Sequence, residues 1–211
     1  MQAAARVALR TTLALLAFSI VGAFLLSGTQ ILTAPIINAS EEKARNAMIA
    51  EVLPAGSFDN DLQKARLELP PSAELGSTEP SNAYVARKQG KTIGVVFETI
   101  APEGYSGNIY LLVGVLADGT LSGVRVTQDK ETPGLGDYIE LAKSNWIKQF
   151  DGRSLSNPTP ENWKVKKDGG VFAYYAGATI SPRAVVKAVK LTLQYFAEHK
   201  GELLTQTGGH A

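Results

Sequence analysis

Hydrophobic and polar positions divide the chain into three stretches of different character. From Thr11 to Ile37, "TTLALLAFSIVGAFLLSGTQILTAPII", there is no ionisable side chain. As a helix, the part before Pro35 rises about 34 Å at roughly 1.5 Å per residue, enough for a hydrocarbon core of about 30 Å. Arg6 and Arg10 precede this run, and Glu41 and Glu42 are the first charges after it. The positive-inside bias therefore places the short N-terminus in the cytoplasm and the remaining chain outside. A cleaved signal peptide shares the basic start and the apolar run. The length of the run, and the lack of a small-x-small site in "LLSGTQILTAP", favour a retained anchor.

The second stretch changes period. "NASEEKARNAMIAEVLP" predicts a stalk helix over 38–53, with Asn38 as cap, Glu41 three residues on, Ala44, Ala47, Met48 and Val52 along one face, and Pro54 as the stop. Residues 55–82, rich in Pro, Ser, Gly and Asn, predict a looser connection with one strand at "ARLEL".

From Ala83 the pattern is that of strands. "AYVARKQ" turns through Gly90-Lys91 into "TIGVVFETIA", and "NIYLLVGVL" reaches Asp118-Gly119 and returns as "LSGVRVTQD". Alternation is incomplete in the two central runs, which predicts strands covered on both faces. Helices over 38–53, about 137–149 and 181–199 would cover a twisted antiparallel sheet, giving an α+β fold. In the last helix Ser181 is the expected N-cap and Pro182 the first helical residue. Val185, Val189, Leu193 and Phe196 line one side, with Arg183, Lys187 and Lys190 alongside. The expected organisation is anchor 1–37, stalk 38–54, connection 55–82, folded domain 83–203 and a flexible tail over 204–211.

Composition narrows the chemistry. A formal net charge of +1 over 211 residues gives no strong field toward nucleic acid. The chain has no cysteine, which excludes disulfides, thiolate metal sites, iron–sulfur clusters and thioether-linked haem. Its two histidines, His199 and His210, lie near the C-terminus and read as surface or tail residues, so imidazole catalysis and a metal site are not expected. No G-x-G-x-x-G follows a strand and no Walker A lysine is present, so a mobile nucleotide has no standard cradle.

What remains is "YYAGATISPRAVVKAVK", 174–190, where Thr179 stands between Gly177-Ala178 and the last helix. A phosphate on Thr179 would lie beside free helix N–H groups and the positive end of the helix dipole, and Gly177 and Ala178 leave room around the hydroxyl. The local pattern is equally that of an ordinary strand-to-helix corner. Tyr174 and Tyr175 are expected as core aromatics.

"GATIS" followed by "PRAVVKAV" resembles the flavinylation motif, Ser/Thr-Gly-Ala-Thr-x-Ser/Thr, of FMN-binding domains. Ala176 stands where the motif usually has Ser or Thr. "KETPGLGDYIE", 130–140, resembles the Glu-Thr-Pro-Gly-Leu-Gly segment of the same domains, and "GYSGNIYLLVGV", from Gly104, is a further match. The order of anchor, stalk, paired strands and these three motifs resembles the G subunit of the Rnf-type (Rsx) electron transport complex across nearly the whole chain.

The resemblance implies FMN held covalently through its phosphate on Thr179, with Gly177, Ala178, Ser181 and the helix N-terminus around the phosphate. It implies Glu131, Thr132, Leu135 and Gly136 at the ring, and Tyr105 and Ser106 at its border. It further implies a flavin transferase for maturation, partner subunits in the bacterial inner membrane, and a flavin on the outer face. The complex would pass electrons between ferredoxin and NAD, coupled to ion translocation, and this chain would be an electron carrier rather than a self-sufficient enzyme. Two alternatives stand beside it: the C subunit of the sodium-pumping NADH:quinone reductase, and a membrane-anchored binding or sensor domain without redox chemistry.

Overall fold

Residues Gln2–Glu51 form one helix, α1, in the computed structural model, which describes residues 2–205. The anchor and the stalk expected as two elements are therefore continuous. Pro35 lies inside α1 and does not end it. Its missing N–H leaves one carbonyl a turn earlier without its usual donor. Just before it, hydroxyls back-bond to carbonyls: Thr29 Oγ1 donates to Leu25 O at 2.9 Å and Thr33 Oγ1 to Thr29 O at 2.8 Å. Because the backbone is already helical at Asn38, no cap is needed there; the side chains of Asn38 and Glu41 lie outside the described residues. Leu9–Ile37 has a mean hydropathy of 2.0 and is long and apolar enough to cross a membrane. Its large side chains, among them Phe18, Phe24 and Leu32, are exposed.

The chain falls into two units, one ending at Ala44 and one beginning at Arg45. The second holds a five-stranded sheet, β1 (Arg66–Leu69), β2 (Ser81–Lys88), β3 (Lys91–Gly104), β4 (Gly107–Leu116) and β5 (Leu121–Gln128). The strands are antiparallel and lie in sequence order. The α+β architecture expected from the pattern is the one observed. Gln89 and Gly90, with φ of 51° and 76°, form the two-residue turn between Lys88 and Lys91. Positive φ at both central positions is the turn whose twist suits a hairpin. The 55–82 stretch is more than a connection, since it supplies β1 and buries Leu69 and Leu75 in the core.

Both faces of the sheet are covered, by different means. On one, Ile49, Val52 and Leu53 pack against Tyr84, Ala86, Val96 and Leu112. Gly114 and Gly123 make this approach possible: a Cβ on Gly114 would lie 2.5 Å from Val52 O, and one on Gly123 would lie 3.1 Å from Val52 Cα. Ser122 Oγ donates to Val52 O at 2.5 Å, tying the same backbone to β5.

The other face carries the larger core, with Phe97, Val113 and Val124 of the sheet beneath α2 (Ile180–Thr205). Val185, Val189, Leu193 and Phe196 are buried as expected, and Phe97 meets Phe196 edge-on at 6.3 Å. The helix starts one residue earlier than expected and runs six beyond 199. Thr179 O accepts from Arg183 N at 3.4 Å, so Thr179 holds the N-cap position, Ser181 lies in the first turn, and Pro182 follows it. Leu204 and Thr205 are helical; the rest of the expected tail, with His210, lies outside the described residues. His199 stacks on Tyr195 at 4.1 Å.

No α-helix forms over 137–149. Two 3-10 segments take its place, Asp137–Ile139 and Asn145–Phe150. Between them Ser144 is extended, with its hydroxyl accepting from Trp146 N at 3.1 Å, so the chain restarts rather than continues. Tertiary bonds hold this geometry. Trp146 Nε1 donates to Ala173 O at 2.6 Å, while Gln149 Oε1 accepts from Ala173 N and its Nε2 donates to Trp146 O. Irregular backbone packed on a core needs such partners.

Candidate functional site

The strand-free run from Val171 reaches α2 through a tight turn. Ala178 N donates to Tyr175 O at 3.1 Å, and Gly177 at the third position has φ of 88°. That is the conformation where a type II turn calls for glycine. Ala176, at the second position, is exposed. Thr179 follows directly, half-buried, and among the described residues its hydroxyl has no hydrogen-bond partner. The first amides of an α-helix have no intrahelical acceptor, and here those of Ile180 and Ser181 follow the hydroxyl; Pro182 has no N–H.

A second turn faces this one. In Thr132-Pro133-Gly134-Leu135, Leu135 N and Gly136 N both donate to Thr132 O at 3.0 Å, and Gly134 has φ of 75°. Asp137 Oδ1 accepts from Gly134 N at 2.8 Å and Asp137 Oδ2 lies 3.6 Å from Lys143 Nζ, which fixes the turn's C-terminal side. Gly136 leaves room for Glu131: a Cβ there would meet Glu131 Oε2 at 2.6 Å. The third contribution is the β3–β4 hairpin tip, Tyr105-Ser106. Ser106 N donates to Glu131 Oε1 at 3.2 Å, and Tyr105 N donates to Ser181 Oγ at 3.4 Å. Glu131 and Ser181 are both buried.

These three segments enclose a cavity of about 160 Å³ lined by Tyr105, Glu131, Thr132, Leu135, Gly136, Gly177, Ala178, Thr179, Ile180 and Ser181. Residues singled out in the sequence from three separated stretches are thus brought to one place. Ser106 does not line the cavity and acts on it through Glu131. Sequence reasoning missed Ile180, whose side chain is 45% exposed beside Thr179. It also missed Tyr138, a buried ring inside the 130–140 segment whose hydroxyl bonds to the Tyr175–Ala178 turn. Burial pushes the Tyr138 phenol up. Tyr175 is not the core residue expected: it is 51% exposed and packs on Tyr138 at 4.1 Å.

Side-chain cations near the start of α2 are already engaged. Arg183 holds Asp168 through two bonds of 2.6 Å, and Lys187 reaches Glu103 at 2.6 Å. The Arg183 hydrogen bonds hold the Asp168 carboxyl below the usual carboxylate range. A phosphate on Thr179 would therefore be met chiefly by helix amides. The volume is smaller than the roughly 300–1,000 Å³ of pockets that swallow a small molecule. It could take only one end of an FMN, and Tyr105, Leu135 and Ile180 present exposed apolar side chains around it. The Glu131 carboxylate is an acceptor, so it would suit an N–H group and not a phosphate.

Comparisons with known proteins agree with this assembly. Residues 104–194 match the FMN-binding domain family, a span that includes all three cavity-forming segments. The G subunit of the ion-translocating oxidoreductase complex of Pseudomonas aeruginosa (strain UCBPP-PA14) is 47% identical over 204 residues, covering 96% of this chain and 95% of the relative. The corresponding G subunit of Vibrio cholerae serotype O1 (strain ATCC 39541) is 42% identical, covering 92% of each chain. That of Shewanella piezotolerans is 42% identical, covering 82% of each. With this coverage and the FMN-binding domain at the site, the chain belongs to the family of G subunits of ion-translocating oxidoreductase complexes.

Proposed function

We propose that the chain carries FMN as a phosphoester on Thr179 Oγ1 and serves as an electron relay within a membrane-bound ferredoxin:NAD oxidoreductase that translocates ions. The observation that carries this reading is the unpartnered Thr179 hydroxyl at the first turn of α2, in a cavity where three separated segments meet. When bound, the flavin supplies one- and two-electron redox chemistry; the chain supplies attachment, orientation and electrostatics.

Attachment needs a flavin nucleotide whose phosphate carries a leaving nucleotide, delivered by a flavin transferase. Thr179 Oγ1 forms the new O–P bond, the bond from that phosphorus to the leaving nucleotide's phosphate breaks, and the hydroxyl proton passes to a base of the transferase. Ile180 and Ser181 amides stabilise the phosphate, Gly177 keeps the approach clear, and Leu135 with Tyr105 offers an apolar bed. Such a tether prevents loss of the cofactor on the outer face of the inner membrane. There the flavin-bearing domain would follow a cytoplasmic N-terminus and the Leu9–Ile37 span. Partner subunits of the complex donate and accept the electrons.

The test is to coexpress the full chain with the flavin transferase and image a denaturing gel for flavin fluorescence. A fluorescent wild-type band that vanishes in Thr179→Val is the expected result. A dark wild-type band, beside a labelled positive control, would leave a non-redox membrane-anchored domain as the better reading.

A further inference from the structure

We infer that Tyr138 is a positioning residue for flavin attachment, acting through the turn that presents Thr179; the inference rests on Thr179 being the acceptor. Its hydroxyl uses both its capacities on that turn. It accepts from Tyr175 N at 3.2 Å and donates to Ala178 O at 2.9 Å. The turn's own bond joins Ala178 N to Tyr175 O. All four backbone polar groups at the base of the turn are therefore paired, two of them by one side chain.

The carbonyl that Tyr138 holds belongs to the peptide bond leading into Thr179. That peptide unit is planar, so fixing its oxygen also fixes the Thr179 amide and the position of its Cα, from which the side chain leaves. Tyr138 also comes from the segment that builds the opposite wall, two residues after Gly136. One hydroxyl thus sets the spacing between the wall carrying Leu135 and the wall carrying Thr179.

The ring is itself held. It is 5% exposed, meets Trp146 edge-on at 5.7 Å and packs against Tyr175 at 4.1 Å. The phenol is protonated at neutral pH and burial pushes it further up, so it can donate to Ala178 O. Phenylalanine at 138 keeps these ring contacts. The turn it would release is at the surface, with Tyr175, Ala176 and Gly177 exposed, so water can take up the freed backbone groups. The substitution loosens the acceptor without emptying the core.

The experiment compares full-length wild type, Tyr138→Phe and Tyr195→Phe, purified flavin-free and treated with transferase and flavin donor. Tyr195 is the control because it is 4% exposed and lies 16 residues along α2 from Thr179. Tyr138→Phe is expected to lower the attachment rate at saturating acceptor on the order of tenfold to a hundredfold, as misplacement by about 1 Å does. Hydrogen exchange should show the Tyr175 amide losing protection in the same variant, a readout independent of any flavin. Tyr195→Phe should attach at the wild-type rate. A labelled wild type with an unimpaired Tyr138→Phe overturns the inference and leaves Thr179 as acceptor. Equal loss in Tyr195→Phe overturns it as well, by reducing the effect to stability. An unlabelled wild type removes the acceptor assignment and this inference together.

Discussion

The two faces of the sheet solve the same covering problem with opposite means. On the face of Ile49, Val52 and Leu53, the last turn of α1 and the two residues after it meet regular sheet mainly by shape, with Gly114 and Gly123 admitting the Val52 backbone and one hydroxyl, that of Ser122, bonding it. On the α2 face, half the cover is irregular chain between Asp129 and Ala178, and polar side chains pin it: Tyr138, Ser144, Trp146 and Gln149 each bond to a backbone group. Regular elements satisfy their own backbone and can be packed by apolar contact; irregular ones must have every amide and carbonyl answered individually. The cavity lies on the second face, where irregular chain brings Gly177, Thr179 and Glu131 to the start of α2.

If that division holds, substitutions on the first face change stability and leave attachment alone. The largest effect is expected from Gly114→Val, whose Cβ would overlap Val52 O. It should lower the unfolding free energy by about 3 kcal/mol, seen as a lower urea midpoint, while the folded fraction still accepts flavin. Loss of attachment at matched folded protein would break the comparison.

Gln149→Leu tests the pins. It leaves Ala173 N and Trp146 O without their partner and should cost about 1–3 kcal/mol, with hydrogen exchange rising around Ala173 and not in β4.

Smaller again is Gly136→Ala. The added methyl displaces the Glu131 carboxylate, at a cost of about 1 kcal/mol, and the Ser106 amide should exchange faster. A crystal structure of this variant with Glu131 unmoved would refute the role given to Gly136.

The smallest effects are in pH, and they differ in sign. Asp168, bonded by Arg183, has its folded pKa lowered, so its contribution is present above the unfolded value and is lost as pH falls through the folded one. Glu140 is pushed up, first by burial and then by the nearby Asp129 charge. Its contribution is present below the unfolded value and is lost as pH rises through the folded one. Asp168→Asn should flatten only the acid limb of stability against pH. Glu140→Gln should flatten only the fall above the ordinary carboxylate range.

The strands were legible in the sequence because their signals are local: runs of β-branched residues, Asp118-Gly119, and a Gly90 turn. So were three of the cavity's walls, through short motifs that keep their turn geometry wherever they are placed. Two readings failed. The anchor and the stalk were expected as two elements, yet α1 runs through both, and a helix was expected over about 137–149, yet the chain there makes 3-10 turns. The second outcome rests on hydrogen bonding that a local pattern does not count. The partners that shape 137–149 stand 24 to 40 residues away, as Ala173 does for Gln149 and Ala178 for Tyr138. The start of α2 was misplaced by a smaller margin. Ser-Pro is a strong cap signal, but the Thr179 carbonyl already receives the first helical bond and Ser181 is turned inward to Tyr105.

The pair Gly114 and Gly123 also decides where this protein can be cut. A water-soluble form without the apolar span is the natural object for spectroscopy and for attachment assays. The obvious place to begin it is after Pro54, where the helix has ended. Doing so would discard Ile49, Val52 and Leu53, strip the cover from Tyr84, Val96 and Leu112, and leave a sticky strip of sheet with a notch shaped for a backbone no longer there. A fragment starting upstream of Ile49, within the charged part of α1, keeps that plug and should stay monomeric.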